Sequence, residues 1–400
     1  MKICDLTQFY SPLSGGVKRY VSEKVRYVRE HTPADEHVLI IPGDRDEVAH
    51  SDRARVYTVR SPLISRTSQY RALVRLRAVE QILEQERPDL IESGDPYQLA
   101  WKAVFSGAAL RIPVVGFYHS HFPEAYVRAA EKFLGRAATD FSMGLARRYV
   151  RQLYNRFERT LVPAPALAEV LKQWGVNNLV PTDLGVDTLC FRPQPGPDEE
   201  LRADWDIPAG RILLLYVGRL AQEKNTHTLF QAFRLLQSRF PGRFDLLVVG
   251  DGLQRRELQA LQSDLRDDAR SPVHWVSYCE EPARLARIYR GADLFVHPGV
   301  QETFGLVTLE AQACGTPVVG IRGSYMDRIV QGDQTLWARE NTPEALAAAI
   351  DATTRMPLKT DPLALHARVA SQYGWPEVFG RLFEIYREVV RDFSRRHSKL

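Results

Sequence analysis

Cysteine and methionine are scarce in this chain, with four of each among 400 residues. Cys4, Cys190, Cys279 and Cys314 lie far apart without paired spacing, which argues against a zinc site and a disulfide framework and for a reducing compartment. Nowhere do about 18 apolar residues run consecutively, so no membrane-spanning helix is expected. A basic-then-apolar leader is missing too, and a strand-like run starts within three residues, so the expected location is cytoplasmic. Neither charge sign dominates, with 53 Lys and Arg against 49 Asp and Glu. The basic residues form no compact run with a recognisable binding motif, which speaks against a nucleic-acid partner. A full dinucleotide fingerprint is also absent. Gly250-Asp-Gly252 follows a strand-like run, but Arg255 stands where the third glycine belongs, so this segment reads as a tight strand-to-helix turn.

What is present is a regular alternation. Strand-like apolar runs alternate with helical patterns through both halves, predicting an α/β protein of two Rossmann-like domains with parallel sheets. The boundary is expected near Pro181 to Gly210, a stretch with five prolines and little hydrophobic periodicity. The expected domains are 1–185, 186–374, and a last segment, 375–400, in which Val378, Leu382, Phe383, Tyr386 and Val389 or Val390 recur on a helical period.

The most informative segment follows Leu294-Phe295-Val296. A Pro298-Gly299 break leads to Glu302-Thr303-Phe304-Gly305-Leu306, then a helix predicted from about Phe304 to Cys314, closed by Gly315 and Pro317. Glu302 sits at the helix entrance and Glu310 lies eight residues on, up to about 12 Å away at 1.5 Å per residue. The backbone N–H groups of Phe304, Gly305 and Leu306 lie between these carboxylates, and a helix N-terminus attracts anions. Sugar at Glu302, diphosphate on the amides and ribose on Glu310 is the resulting assignment. The helix is apolar or small on most sides, so Glu310 is expected to be buried and to need a polar partner.

Other candidates belong to the same chemistry. Arg219 and Lys224 follow the run Ile212 to Gly218, at the carboxyl end of a strand, where open α/β sheets bind ligands. Tyr278 and Cys279 end a strand predicted from His274, where backbone groups could meet a nucleobase. In the first half, Gly15 and Gly16 precede a helix predicted from Lys18 and allow a ligand close to the backbone. Gly16 is assigned to the donor and Gly15 to the acceptor side. His119 and His121 end the strand-like run from Ile112, and His119 is the better candidate to face the transferred sugar. Asp95, Tyr97, Tyr118 and His121 are the remaining acceptor-side candidates. Two Asp-x-Asp pairs, Asp44/Asp46 and Asp204/Asp206, lie in polar loops and read as turn acids, not as metal ligands.

Together, Gly15-Gly16, His119, Gly218-Arg219 with Lys224, Gly250-Asp-Gly252, and Glu302 to Glu310 followed by Ala-Gln-Ala-Cys-Gly-Thr-Pro-Val-Val resemble the retaining, nucleotide-sugar-dependent glycosyltransferases of family four, which have the GT-B fold. The resemblance spans nearly the whole chain and is strongest from Leu213 to Val319. It implies two Rossmann-like domains facing across a cleft, an N-terminal acceptor domain, a C-terminal donor domain, and a last helix that crosses back to the first. It further implies hexosyl transfer from a UDP- or GDP-sugar to a saccharide or lipid hydroxyl, with no metal and no cofactor beyond the donor. Arg219 and Lys224 would hold the diphosphate, Glu310 the ribose and Glu302 the sugar hydroxyls, and His119 would lie beside the reacting sugar. A GT-B phosphorylase or a nucleotide-sugar epimerase would use the same scaffold and stays open as an alternative. Gly299, where the family often has serine, and Tyr325-Met326-Asp327, in place of a Gly-Pro-Glu-like turn, leave donor details open.

Residues 1–180 carry 26 Lys and Arg against 20 Asp and Glu, so the excess of base lies in the first half. It concentrates at Lys18–Arg29 and Arg128–Arg159, where bases interleave with Phe133, Leu134, Phe141, Leu145, Tyr149, Leu153, Tyr154 and Phe157. Such stretches could lie on an anionic membrane surface, or be solvated faces of ordinary helices.

Overall fold

A computed structural model describes residues 1–10, 15–64, 69–119, 121, 135–194, 199–262, 265, 270–300, 302–355 and 361–398. Phe133, Leu134 and Arg128 lie outside the described residues. The chain divides into two compact units, one of Met1–Leu184 with Trp375–Leu400, the other Gly185–Gly374.

The first unit holds β1 (Lys2–Leu6), β2 (Glu36–Gly43), β3 (Glu47–Ser51), β4 (Ala54–Arg60), β5 (Leu90–Ser93), β6 (Val114–Phe117), β7 (Arg159–Val162) and β8 (Leu179–Pro181). Their order is β3-β4-β2-β1-β5-β6-β7-β8, parallel throughout except for the antiparallel edge pair β3 and β4. Helices Gly16–His31, Leu76–Glu86, Gln98–Leu110 and Arg136–Tyr154 fill the connections. The first begins at Gly16, two residues before the sequence pattern places it.

The second unit is a five-stranded, all-parallel sheet. Its strands β9 (Ile212–Val217), β10 (Phe244–Val249), β11 (Val273–Val276), β12 (Leu294–His297) and β13 (Val318–Gly320) run in the order β11-β10-β9-β12-β13. Leu213, Leu214, Leu215 and Leu246, Leu247, Val248 are buried in adjacent strands, the unbroken apolar pattern of a sheet covered on both faces. Chain order reverses at β1 and β5 in the first sheet and at β9 and β12 in the second, and such switch points open crevices at the carboxyl ends of the strands.

The helix Trp375–His397 returns to the first unit, where Val378, Phe379, Leu382, Phe383, Tyr386 and Val389 are buried. These positions follow the 3.6-residue period read from the sequence. In the Arg136–Tyr154 helix the apolar positions separate instead. Leu153 and Tyr154 are buried, whereas Phe141 and Leu145 are exposed.

Gly250-Asp-Gly252 is a packing device. A Cβ at Gly250, whose φ is +140°, would lie 2.0 Å from the carbonyl oxygen of Gly218, and one at Gly252 would lie 2.3 Å from that of Leu220. The loops after β9 and β10 are therefore joined backbone to backbone, with Gly218 N donating to Val249 O and Leu220 N to Asp251 O. Gly250→Ala is expected to destabilise the second unit by about 3 kcal/mol and lower its melting temperature by several degrees. Calorimetry checks this, and an unchanged transition would show that the loops have room to part.

Candidate functional site

In the second unit the site grows from the ends of β9 and β12. β9 stops at Val217, and Gly218 and Arg219 carry the chain into a short 3-10 turn, Gln222–Lys224. Tyr216 donates its hydroxyl to the carbonyl oxygen of Arg219 at 3.0 Å, fixing the loop from below. Asn225 adopts the left-handed conformation at the N-cap of the Thr226–Arg239 helix. Its side chain caps no helix amide, and instead its amide donates to the carbonyl of Pro298 at 2.8 Å and to Asn341 at 2.7 Å. The loop after β9 is thereby tied to the loop after β12.

This tie places Lys224 beside Glu302, across 78 residues of sequence, with Nζ 2.5 Å from Oε2. His297, at the end of β12 and buried, points Nε2 at the same oxygen from 3.7 Å, while its Nδ1 is buried without a hydrogen-bond partner among the described residues. Burial works to raise the Glu302 carboxyl, but the Lys224 cation and then His297 outweigh it and hold the group well below the usual carboxylate range. Glu302 is therefore a fixed anion. Arg219 is exposed, with Glu223 3.7 Å away.

The helix starts at Leu306 and ends at Ala313, shorter than the predicted Phe304 to Cys314, because Gly305 takes the left-handed conformation at its N-cap. Thr308 N and Leu309 N already reach back to Gly305 O. The first-turn amides are those of Leu306 and Val307, and Phe304, buried, and half-buried Thr303 form the approach to them. Glu310 is 2% exposed, as its apolar surroundings require. The polar partner it needs is present within the protein, since the Tyr289 hydroxyl donates to Oε2 at 3.0 Å. Tyr278 and Cys279 lie farther off, beyond β11 at the edge of the sheet, because that strand ends at Val276, before the expected Tyr278. Tyr278 is exposed, and the half-buried Cys279 thiol donates to the carbonyl of Glu281, with burial raising its pKa.

In the first unit the candidates gather at the carboxyl ends of β1, β5 and β6. Asp95 follows β5 and is 2% exposed. Gln8 N, after β1, donates to its Oδ2 at 2.9 Å, and its Oδ1 is buried without a hydrogen-bond partner among the described residues. Burial raises this carboxyl to about 6, against the pull of the Gln8 and Tyr97 amides. Tyr97 meets Phe9 edge-on at 5.6 Å. Past β6, the buried Tyr118 hydroxyl lies 3.0 Å from Nδ1 of His121, whose ring stacks on Trp174. His119 lies flat on Phe117, ring centroids 4.0 Å apart, and meets the edge of Tyr20 at 5.0 Å. Burial and then the nearby Lys24 cation pull its pKa down to about 3, so the imidazole is neutral. Gly15 and Gly16 are exposed at the head of the Gly16–His31 helix, and a Cβ on Gly15 would meet nothing within 4 Å. Among the described residues, no contact demands glycine at Gly15.

The Asp-x-Asp pairs are engaged locally. Asp46 accepts from Arg60 N and from Arg75, and Asp204 ends the Glu199–Asp204 helix with Asp206 in the left-handed turn behind it. Sequence reasoning missed His297 and Tyr289. For His297 the signal was its place as the last residue of a buried strand beside the switch point.

Two family models match. "Glycosyltransferase Family 4" covers residues 14–189 and "Glycosyl transferases group 1" covers 197–368. A GDP-mannose-dependent alpha-mannosyltransferase of Corynebacterium glutamicum is 31% identical over 83% of this chain and 75% of that protein. A GDP-mannose-dependent alpha-(1-6)-phosphatidylinositol dimannoside mannosyltransferase of Mycobacterium tuberculosis is 31% identical over 88% of this chain and 87% of that protein. Among solved structures, sucrose-phosphate synthase of Thermosynechococcus elongatus superposes with a TM-score of 0.74 at 22% identity, covering 98% of this chain and 99% of that one. HepE of Anabaena, in complex with UDP and glucose, gives 0.73 at 18% identity over 97% and 100%. The fold is that of the GT-B glycosyltransferases.

The Lys224–Glu302 pair has a measurable pH signature. Glu302's depressed carboxyl makes the pair's contribution to stability complete above the ordinary carboxylate range, and it is lost as pH falls below that range toward the depressed folded value. In Lys224→Met burial should dominate, raising the carboxyl above its unfolded value, so the variant's deficit against wild type should grow as pH rises from about 4 to 7. Urea midpoints across that range test this. Parallel profiles would show that the pair does not hold Glu302 ionised.

Proposed function

The chain belongs to glycosyltransferase family 4, and from that premise we propose that it is a retaining, metal-independent hexosyltransferase acting from a nucleoside-diphosphate sugar onto a saccharide or lipid hydroxyl. The carrying observation is the grouping of Lys224, Glu302 and His297 at the β9/β12 switch point, beside the first turn of the Leu306–Ala313 helix. GDP-mannose is the proposed donor, on the strength of the two mannosyltransferases 31% identical to the chain.

Transfer breaks the bond from the anomeric carbon to the phosphate oxygen, so negative charge grows on the diphosphate while positive charge grows on the sugar. Arg219, Lys224 and the amides of Leu306 and Val307 are proposed to take the first, and Glu310 to hold the ribose. Glu302 would hold the sugar hydroxyls, His119 would lie beside the reacting sugar, and the backbone carbonyl of His119 or the carboxylate of Glu302 would support the second charge. A neutral His119 imidazole adds no repulsion there. The acceptor oxygen attacks from the face the diphosphate leaves, and the departing phosphate oxygen takes the acceptor proton.

Peripheral membrane association is the proposed route to a lipid acceptor. Phe105, Phe141 and Leu145 are exposed in the first unit, and Arg147, Arg148 and Arg151 continue the Arg136–Tyr154 helix. Sedimentation with phosphatidylglycerol vesicles should fall in a Phe141→Ser/Leu145→Ser variant, and equal sedimentation would remove this role.

UDP-, GDP- and ADP-sugars should be compared by thermal shift and release of free nucleoside diphosphate, with and without EDTA. GDP-mannose is expected to stabilise the protein and to be hydrolysed slowly in EDTA, and the anomeric configuration of any product, read by NMR, tests retention. Lys224→Ala and Glu310→Ala should each cut turnover more than about 100-fold without unfolding the protein. Wild-type rates in either variant would overturn the site assignment.

A further inference from the structure

Beneath His119 lies a buried polar cluster that the transfer chemistry does not use. Lys24 of the Gly16–His31 helix is wholly buried and donates to Asp5 Oδ1 and Glu92 Oε1, each at 3.0 Å, and to the Tyr386 hydroxyl at 3.0 Å. His37 Nε2 lies 3.0 Å from the other Asp5 oxygen. Glu92, at the centre, also accepts from the hydroxyls of Tyr386 and Tyr20, the latter at 3.1 Å from Oε1. Among the described residues, Tyr20 carries this cluster to the candidate site. Lys24 Nζ sits 4.4 Å from its ring centroid, and the same ring meets His119 edge-on at 5.0 Å and Phe117 at 5.1 Å.

We propose that Tyr20 is a positioning residue for His119, its hydroxyl anchored on Glu92 so that its ring edge and the face of Phe117 leave the imidazole a single orientation. The proposal rests on the reading that His119 serves the reacting sugar. An imidazole stacked on one aromatic ring can still slide and turn in its plane, whereas a second ring set across it at 68° removes that freedom. The Tyr20 ring has two torsions of its own, and the hydrogen bond to a carboxylate fixes its far end. Around this ring stand Lys24, Asp5, Glu92 and Tyr386, so its anchor is charged and enclosed.

The test pairs two hydroxyl deletions on the same carboxylate. Tyr20→Phe keeps the ring and loses the anchor. It should lower kcat by about tenfold with the donor KM within about twofold, since small misplacements near the reacting atoms act on the chemical step. It should also move or broaden the His119 imidazole resonances in protein labelled on histidine, assigned by their loss in His119→Ala. Tyr386→Phe removes the other hydroxyl from Glu92, and among the described residues no ring contact joins Tyr386 to His119. This variant should lose comparable thermal stability yet keep kcat and the His119 resonances of the wild type. Unchanged resonances in Tyr20→Phe, unchanged kcat in that variant, or an equal loss of kcat in Tyr386→Phe would each overturn the proposal. Should His119→Ala, which keeps the backbone carbonyl, itself hold wild-type kcat, the imidazole has no role at the sugar, and the resonances alone then decide whether Tyr20 orients it.

Discussion

The contact between Lys224 and Glu302 is the constraint on which the second unit's site depends. Both side chains are largely withdrawn from water, and taking two ions out of water costs several kcal/mol each unless the geometry returns it. The return here comes from the backbone. Gly250 and Gly252 let the loop after β10 press against Gly218 and Leu220, and Asn225 holds the carbonyl of Pro298, so Lys224 and Glu302 meet without searching. A larger residue at either glycine would separate the loops before it touched the ion pair. The pair also assigns the cations different duties. Lys224 is already opposed by a carboxylate, while Arg219 is exposed and 3.7 Å from Glu223, so Arg219 has the greater freedom to meet an incoming anion.

The sheets decide where such groups can stand at all. A parallel sheet covered on both faces has no polar surface except at its ends, and Leu213 to Val217 or Phe244 to Val249 leave no side chain in water along their length. Charge therefore accumulates where strands stop. In the first unit Gln8, Asp95 and His119 follow β1, β5 and β6, and in the second Arg219, His297 and Glu302 stand at or beyond the ends of β9 and β12. Each set flanks or adjoins the place where chain order reverses, which is geometry and owes nothing to the identity of a ligand.

This explains what the sequence disclosed and what it hid. Glu302, Glu310 and Lys224 were legible because each sits at a fixed offset from a strand-like run or helix start, and such offsets are local. The burial of Glu310 followed from its apolar neighbours, but Tyr289, which satisfies it, lies 21 residues away on another helix, and no local pattern joins the two. The Lys224–Glu302 contact is equally invisible, since it requires β9 and β12 to be neighbours although two strands separate them in the chain. Boundaries shifted where a single residue overrode the pattern. Gly305, in the left-handed region, delays the helix to Leu306, and β11 stops at Val276 although the apolar pattern continues to Tyr278. The buried cluster of Asp5, Lys24 and Glu92 gave no signal, for each residue alone reads as an ordinary charge in an amphipathic helix or at a strand end.

Glu302 and His119 show how environment sets the charge of a group more firmly than residue type does. Both are shielded from water, and burial alone would neutralise both. Lys224 reverses that tendency at Glu302, which stays an anion far into acid. At His119 Lys24 reinforces it, although Asp5 pulls weakly the other way, and the imidazole is neutral near pH 7. Lys24, locked between Asp5 and Glu92, adds to the effect of burial on His119 from a fixed position.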